Sequence, residues 1–371
     1  MDDTTRGSAH PDATDAVDAP ADATPDSAVP ADVMPADAAP EDNPLTSRRG
    51  RAAAMVAFAG GFALWITFIG LPTDVVQIVA WLWVLTIAWN IGAGWRSHLT
   101  FLRDWWGPVA FLLVYLYSRG LADELFAMPV HFTEPIRFDE WIGGGTTPTR
   151  HLQEWLCDQP CSAGGSAPHW YDAILTTVYF THFVAGLTIA VILWMVSRRE
   201  WVMWMRRYLA ISFGALVIYI LYPMAPPWMA SQDGYLNEEV VRLTGRGWST
   251  FGLGGFHLAL ANVGNPVAAM PSLHAGLAAL IAFYGVQRLR SSWRWLLLLY
   301  PLVMSFALVY YAEHYVIDIL AGFALAGAVL LGCNAWERWR GQEARSVRRR
   351  RHTHTPHASQ PPAPTQEKSS T

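Results

Sequence analysis

The apolar residues of this chain come in long blocks, and that feature most constrains how it can fold. Eight segments, near 52–71, 75–94, 106–126, 172–196, 208–223, 272–288, 295–312 and 315–335, are apolar over a length that can cross the hydrocarbon layer of a bilayer. A helix on the surface of a soluble protein carries an apolar stripe and a polar face, and these segments lack the polar face. Backbone in lipid must satisfy its hydrogen bonds within its own segment, so each block is expected to be helical. The fold class that follows is all-α, a polytopic membrane bundle of about eight transmembrane helices. Composition agrees, with 52% hydrophobic and only 15% charged residues, where a soluble domain carries about a quarter charged. Many of the 19 tryptophans sit at block edges, where indole rings favour the headgroup layer.

The charged residues divide the chain and orient it. Residues 1–47 are acidic and rich in Ala, Asp and Pro, and are expected to form a disordered arm. The arm has no apolar core and its charges are acidic, so it does not read as a secretory signal. Two N-terminal transmembrane helices fill 48–105, a six-helix core fills 106–336, and a basic, disordered tail follows over 337–371. Arginines cluster before the first helix (Arg48, Arg49, Arg51) and in every second connection: Arg96 and Arg103, then Arg198 to Arg207, then Arg288 to Arg294, then the tail with Arg348–Arg351. Under the positive-inside rule this alternation puts both termini in the cytoplasm of a multi-pass plasma-membrane protein. The basic run beside a membrane marks that side and is not a nucleic-acid site. Two long connections, 128–170 and 224–271, then lie outside and are aromatic enough to be ordered. Cys157 and Cys161 share the first and can pair if it is outside, whereas Cys333 lies in an apolar segment as inert packing.

Two motifs carry chemistry. Ala-Met-Pro-Ser-Leu-His (269–274) stands at the outer end of the sixth helix, with Pro271 suited to a first turn. Glu-His-Tyr-Val-Ile-Asp (313–318) stands at the outer end of the eighth, and the four-residue spacing of His314 and Asp318 puts them on one helical face. The arginine-derived topology brings both motifs to the same membrane face. Two imidazoles and a carboxylate suit phosphoryl transfer through a covalent intermediate. His314 is expected to be the nucleophile and Asp318 the partner that fixes its tautomer. His274 is expected to be the general acid. Solvated anchors in the headgroup layer are the bland alternative. A metal site is a third reading, but no cluster has the usual ligand spacing, so no metal or cofactor is expected and activity should survive a chelator.

Pro-Ser-Leu-His followed some forty residues later by His-x-x-x-Asp resembles the type 2 phosphatidic acid phosphatase superfamily. Tyr-Pro-Met-Ala-Pro-Pro (222–227) is similar to its inositol phosphorylceramide synthase branch, to which the sphingomyelin synthases are also similar. The likeness covers roughly 106–335, with two helices added in front. It implies for His274, His314 and Asp318 the roles assigned above, and a lipid phosphate or phospholipid as substrate. The sequence departs from the phosphatases in two places. Their Lys-x6-Arg-Pro motif cannot exist here, because the one lysine is Lys368 in the tail, and Ala307 and Leu308 stand where they have Ser-Arg. The synthase-like branch lacks that full set too, which makes headgroup transfer a candidate beside hydrolysis.

A phosphate still needs partners. Arg119, in the outer part of the third helix near Asp123, is the first candidate, because charges within a membrane span are costly and usually functional. Arg137, Arg150 and Ser272 are weaker ones, and Gly143–Gly145 could let backbone amides approach an anion. His182, one turn after Tyr179, falls about 16 Å below the outer end of its helix. It is expected to make an interhelical bond and stays outside the catalytic set. The sequence thus reads as a lipid phosphatase or phosphotransferase acting at the extracytoplasmic face through a phosphohistidine. A lipid-binding or transport protein that keeps the bundle without turnover is the alternative. Protein partners are unknown.

Overall fold

The computed structural model describes residues 47–72, 74–126, 128–162, 167–251 and 265–353, with backbone alone at 121–126, 249–251 and 343–353. The acidic arm, apart from Ser47, lies outside the described residues, as does the chain after 353. The described residues are helical, and their only β pairing is a pair of isolated bridges. The elements are α1 (Arg48–Phe68), α2 (Val75–Trp89), α3 (Trp95–Phe126), α4 (Thr133–Ile142), α5 (Pro148–Leu156), α6 (Trp170–Val196), α7 (Arg198–Leu221) and α8 (Pro227–Gln232). After them come a 3-10 turn (Arg246–Phe251), α9 (Leu273–Arg288), a second 3-10 stretch (Ser292–Leu298) running into α10 (Leu299–Tyr310), and α11 (Val316–Thr353).

Each of the eight apolar blocks is helical. Among the described residues, five helical stretches are long and apolar enough to cross a membrane: α1, α6, α7, the stretch Ser292–Tyr310, and α11 over Val316–Gln342; α2 is a shorter apolar helix. Three boundaries differ from expectation. The helix α3 begins at Trp95, so Arg96 and Arg103 lie inside it and not in the connection before it. The arginines of 198–207 lie inside α7, because the single residue Ser197 breaks the chain between α6 and α7 and caps α7 by accepting the Glu200 N–H. The helix α11 runs past 336 to Thr353, because nothing in its Glu- and Arg-rich extension breaks a helix.

The bundle buries one apolar cluster among α2, α3, α6, α7, α9 and α11, around Phe101, Trp105, Leu187, Trp204 and Leu280. Large apolar side chains such as Phe68 and Val196 remain on its outside, 81% and 78% exposed, as a lipid-facing surface requires. Exposed tryptophans gather at both ends: Trp141, Trp155 and Trp170 at one, Trp293, Trp295 and Trp339 at the other.

Ion pairs tie the arginine-bearing segments together at one end. Arg198 meets Asp104 of α3 at 3.2 Å, Arg288 of α9 meets Glu200 of α7 at 3.3 Å, and Glu337 of α11 meets Arg206 and Arg207 of α7 at 2.7 and 2.8 Å. At the opposite end, a bridge from Met224 to His131 holds the two long connections to each other, and one from Met224 to Ala268 ties the second to itself. The described part of the connection after α3 carries α4 and α5. Pro148 starts α5 behind its cap Thr147, and Cys157 and Cys161 are disulfide-bonded just after it.

Candidate active site

Asp318 lies in the first turn of α11, three residues after Tyr315. Its Oδ2 accepts the Tyr315 N–H at 2.9 Å, which is one half of a capping box. The same oxygen lies 3.4 Å from His314 Nδ1. The two residues therefore meet through a helix cap and not across a helical face, because His314 precedes the helix in the turn after α10. That turn is tight, and Ala312 adopts a left-handed backbone with φ 58°, a conformation that costs a non-glycine residue about 1 kcal/mol. The next N–H of α11, at Val316, is capped from outside the helix: both oxygens of the fully buried Asp139, on α4, accept it at 3.0 and 3.1 Å. Burial pushes the Asp139 carboxyl up to about 7, against the opposing pull of that N–H. Burial also draws the His314 imidazole down to about 4, so the ring is neutral near pH 7.

His274 is the second residue of α9. Ser272 caps that helix, its hydroxyl accepting the Ala275 N–H at 3.3 Å, and its own N–H donates to the Asp318 carbonyl at 2.9 Å. One backbone hydrogen bond thus joins the starts of the two helices that carry the motifs. Two glycines allow this approach: a Cβ on Gly322 would come within 2.4 Å of the Ser272 carbonyl oxygen, and one on Gly276 within 3.1 Å of the Gly322 carbonyl. Tyr219 of α7 fixes the preceding loop by donating to the Pro271 carbonyl at 2.9 Å. The outcome is a His274 ring centred 5.6 Å from that of His314.

Sequence reasoning undervalued His182. Its ring centre lies 3.9 Å from that of His274, and Tyr179, one turn away on the same face of α6, stacks on His274 at 4.8 Å. His182 Nδ1 and His274 Nε2 are buried without a hydrogen-bond partner among the described residues. His182 lies twelve residues into α6, and the histidines meet there within the bundle.

All three rings line one cavity of about 240 Å³. Its polar end also carries Arg119, Arg242 and Glu313, and its apolar end runs between Val75 and Ile78 of α2, Leu112 of α3 and Leu187 of α6. The Arg119 Nε is buried without a hydrogen-bond partner, and its guanidinium lies 5.9 Å from the Tyr219 ring centre. The side chain of Asp123, four residues along the chain, lies outside the described side chains. Arg242 donates to Glu313 at 2.7 Å and rests 4.8 Å from the Trp228 ring centre, and the Thr244 hydroxyl donates to the same carboxylate. Glu313 stood in the motif without a role, and Arg242 sits in a loop where nothing in the spacing marks it. The weaker candidates lie elsewhere. Arg137 is exposed on α4, and Arg150 is held by Glu154 at 2.7 Å and the Glu239 carbonyl at 2.8 Å. The Ser272 hydroxyl serves as a helix cap, and none of the three lines the cavity. Among the described residues no group of three or more His, Cys, Asp or Glu side chains is placed to hold a metal ion.

The family model of the PAP2 superfamily matches residues 146–332, just over half of the chain. A phosphoinositol dihydroceramide synthase of Bacteroides thetaiotaomicron is 32% identical over 116 residues. That alignment covers 29% of this chain and 37% of the relative, so the chain spans well under two thirds of the relative's length. No solved structure matches the chain.

Proposed function

Because the chain belongs to the PAP2 superfamily, we propose that it is a lipid phosphatase or phosphotransferase that works through a phosphohistidine on His314. The observation that carries this reading is the convergence at one cavity mouth of His314, held by Asp318 at 3.4 Å, with His274 centred 5.6 Å away. The Asp318 carboxylate accepts from Nδ1, which leaves the Nε2 lone pair of a neutral ring free to attack. Attack forms the N–P bond and breaks the P–O bond to the leaving group, whose alkoxide takes a proton from His274. In the second half, an acceptor hydroxyl returns a proton to His274 as its oxygen bonds to phosphorus and the N–P bond breaks. Asp318 supports the positive charge that the ring carries in between. Arg119 supplies the cation that the missing lysine motif would otherwise provide, and its Nε has no hydrogen-bond partner among the described residues.

The apolar end of the cavity favours a substrate with hydrocarbon chains over a water-soluble ester, since Val75, Ile78, Leu112 and Leu187 offer such chains a dry wall. Water and a lipid alcohol are equivalent acceptors in this scheme. The name of the synthase relative and the absence of the lysine motif favour the alcohol, and so transfer of a phospho-headgroup between lipids. The site then works at the extracytoplasmic face. The arginine-bearing ends gather at the opposite end of the bundle, and the Cys157–Cys161 disulfide lies on the site's side.

The test is incubation of the purified protein with phospholipids, including phosphatidylinositol, and polyprenyl phosphates, with and without a lipid alcohol. Free phosphate and new lipid are both measured. An acid-labile phosphoprotein or phospho-headgroup adduct that disappears in His314→Ala supports the reading. Full turnover in His314→Ala refutes it, and binding of lipid with no turnover on any substrate favours a non-catalytic lipid-binding or transport role.

A further inference from the structure

A second concavity, of about 800 Å³, opens at the end of the bundle opposite His274 and His314, among α7, the last turn of α9 and α11. Six arginines line it: Arg198, Arg199 and Arg206 from α7, Arg288 from α9, and Arg338 and Arg340 from α11. Its one lining carboxylate, Glu337, already accepts from Arg206 at 2.7 Å and from the buried Arg207 at 2.8 and 2.9 Å. Arg198 and Arg288 have carboxylate partners in Asp104 and Glu200. Among the described residues, no carboxylate lies within ion-pair distance of Arg199, Arg338 or Arg340.

Marking the cytoplasmic side requires arginines at this end of the bundle, and it does not require them to face one another. Three of the six guanidinium groups at this concave space, those of Arg199, Arg338 and Arg340, have no carboxylate partner among the described residues, so an acidic group entering it would meet free donors. Guanidinium groups match phosphate oxygens in forked pairs, and basic pockets between membrane helices suit acidic headgroups. The wall contains Trp336, with Arg206 and Arg340 lying 4.2 and 5.1 Å from its ring centre. Exposed Trp339, Trp293 and Trp295 sit at the same end, which places the concavity at headgroup depth.

We infer that this concavity binds the phosphate-bearing headgroup of an anionic phospholipid from the surrounding leaflet, as a site separate from the cavity of His314. The helices it joins are α9 and α11, which carry His274 and Asp318 at their other ends, and along α11 the two sites are about 28 Å apart at 1.5 Å per residue. A lipid held here braces the two catalytic helices without touching the substrate, whatever chemistry occurs at the far end.

The test compares the full chain with a triple variant, Arg199→Gln, Arg338→Gln and Arg340→Gln, both purified in uncharged detergent. Native mass spectrometry and thermal unfolding are followed as phosphatidylglycerol, phosphatidylcholine or inorganic phosphate is added. The expected result is one more tightly held phosphatidylglycerol on the unmodified chain, with affinity about 100-fold weaker in the triple variant. Unfolding without lipid and basal turnover should be the same in both. A variant with Lys at all three positions should keep most of the binding. If the Gln triple fails to fold, Arg199→Gln alone should weaken binding about fivefold. Equal phosphatidylglycerol binding by variant and parent overturns the inference, as does equal binding of phosphatidylcholine. Full stabilisation by inorganic phosphate alone overturns the lipid assignment in favour of a free-anion site.

Discussion

Replacing Asp318 by Asn separates two things that this carboxylate does for His314. Its Oδ2 accepts both the Tyr315 N–H, at 2.9 Å, and the His314 Nδ1–H, at 3.4 Å, while Oδ1 is buried without a partner. An Asn amide can put its oxygen at the Oδ2 position, because the reverse orientation points N–H at the Tyr315 N–H. The cap and the His314 tautomer are therefore retained and only the charge is lost. A carboxylate about 5 Å from a cationic ring, at an effective dielectric of about 20, is worth roughly 3 kcal/mol, so formation of the phosphoprotein should slow about 100- to 300-fold. Asp318→Ala removes cap, tautomer and charge together and should slow it about 10⁴-fold. The assay is rapid-quench capture of acid-labile phosphoprotein from the lipid that gives most turnover, with unfolding followed in parallel. An Asn variant within threefold of the parent means the carboxylate does not act on the reacting ring. An Asn variant as slow as Ala refutes the argument that the amide preserves the tautomer.

Four other perturbations test the same structure. Arg119→Ala should lower kcat/KM about 10²- to 10³-fold if its guanidinium holds phosphate in the transition state, Arg119→Lys should recover part of that, and steady-state kinetics on both decides. Gly322→Ala forces a methyl group against the Ser272 carbonyl and should cost about 1–3 kcal/mol of stability while lowering kcat, read by thermal unfolding and turnover. Glu337→Ala leaves Arg207 buried without its carboxylate and should destabilise by about 3 kcal/mol, visible as a lower Tm. Asp139, with its pKa raised from 3.8 to about 7 by burial, binds its proton more tightly folded than unfolded. Its contribution to stability is present below about pH 4 and lost as pH rises to 7, roughly 4 kcal/mol in all, and Asp139→Asn should flatten that part of the stability–pH curve.

The segments that the apolar blocks and arginines describe were legible because lipid imposes a strict rule on sequence: length and charge alone specify a spanning helix. The meeting of His274, His314 and Asp318 was legible for a related reason, since a topology that brings two helix ends to one face brings their motifs together. What the sequence hid is contact between distant parts of the chain. Asp139 caps a helix that begins 177 residues later, and no spacing rule connects them. From sequence His182 is expected to make an interhelical bond, as a buried histidine in a bundle commonly does. Its closeness to His274 depends on the crossing of α6 and α9. Arg150 shows the opposite case: a cation in the same loop is held by Glu154 and a backbone carbonyl and does not line the cavity.

The residues matched by the family begin at 146, yet the cavity does not close within them. Val75 and Ile78 of α2, with Leu112, Tyr115 and Arg119 of α3, form the wall that faces the histidines. The matched segment thus carries His274, His314 and Asp318, and the preceding helices carry Arg119, whose Nε has no hydrogen-bond partner among the described residues, and much of the apolar surface. These two contributions differ in kind. The first determines which bond can be broken, and it depends on a cap and a glycine contact that tolerate little change. The second determines which lipid can lie in the cavity, and it is built from side chains whose size can vary without disturbing the caps. Substrate choice in this chain is therefore expected to be set by α2 and α3, and exchange of Val75, Ile78 and Leu112 for larger or smaller apolar residues should change which chains are accepted while leaving the phosphohistidine step intact.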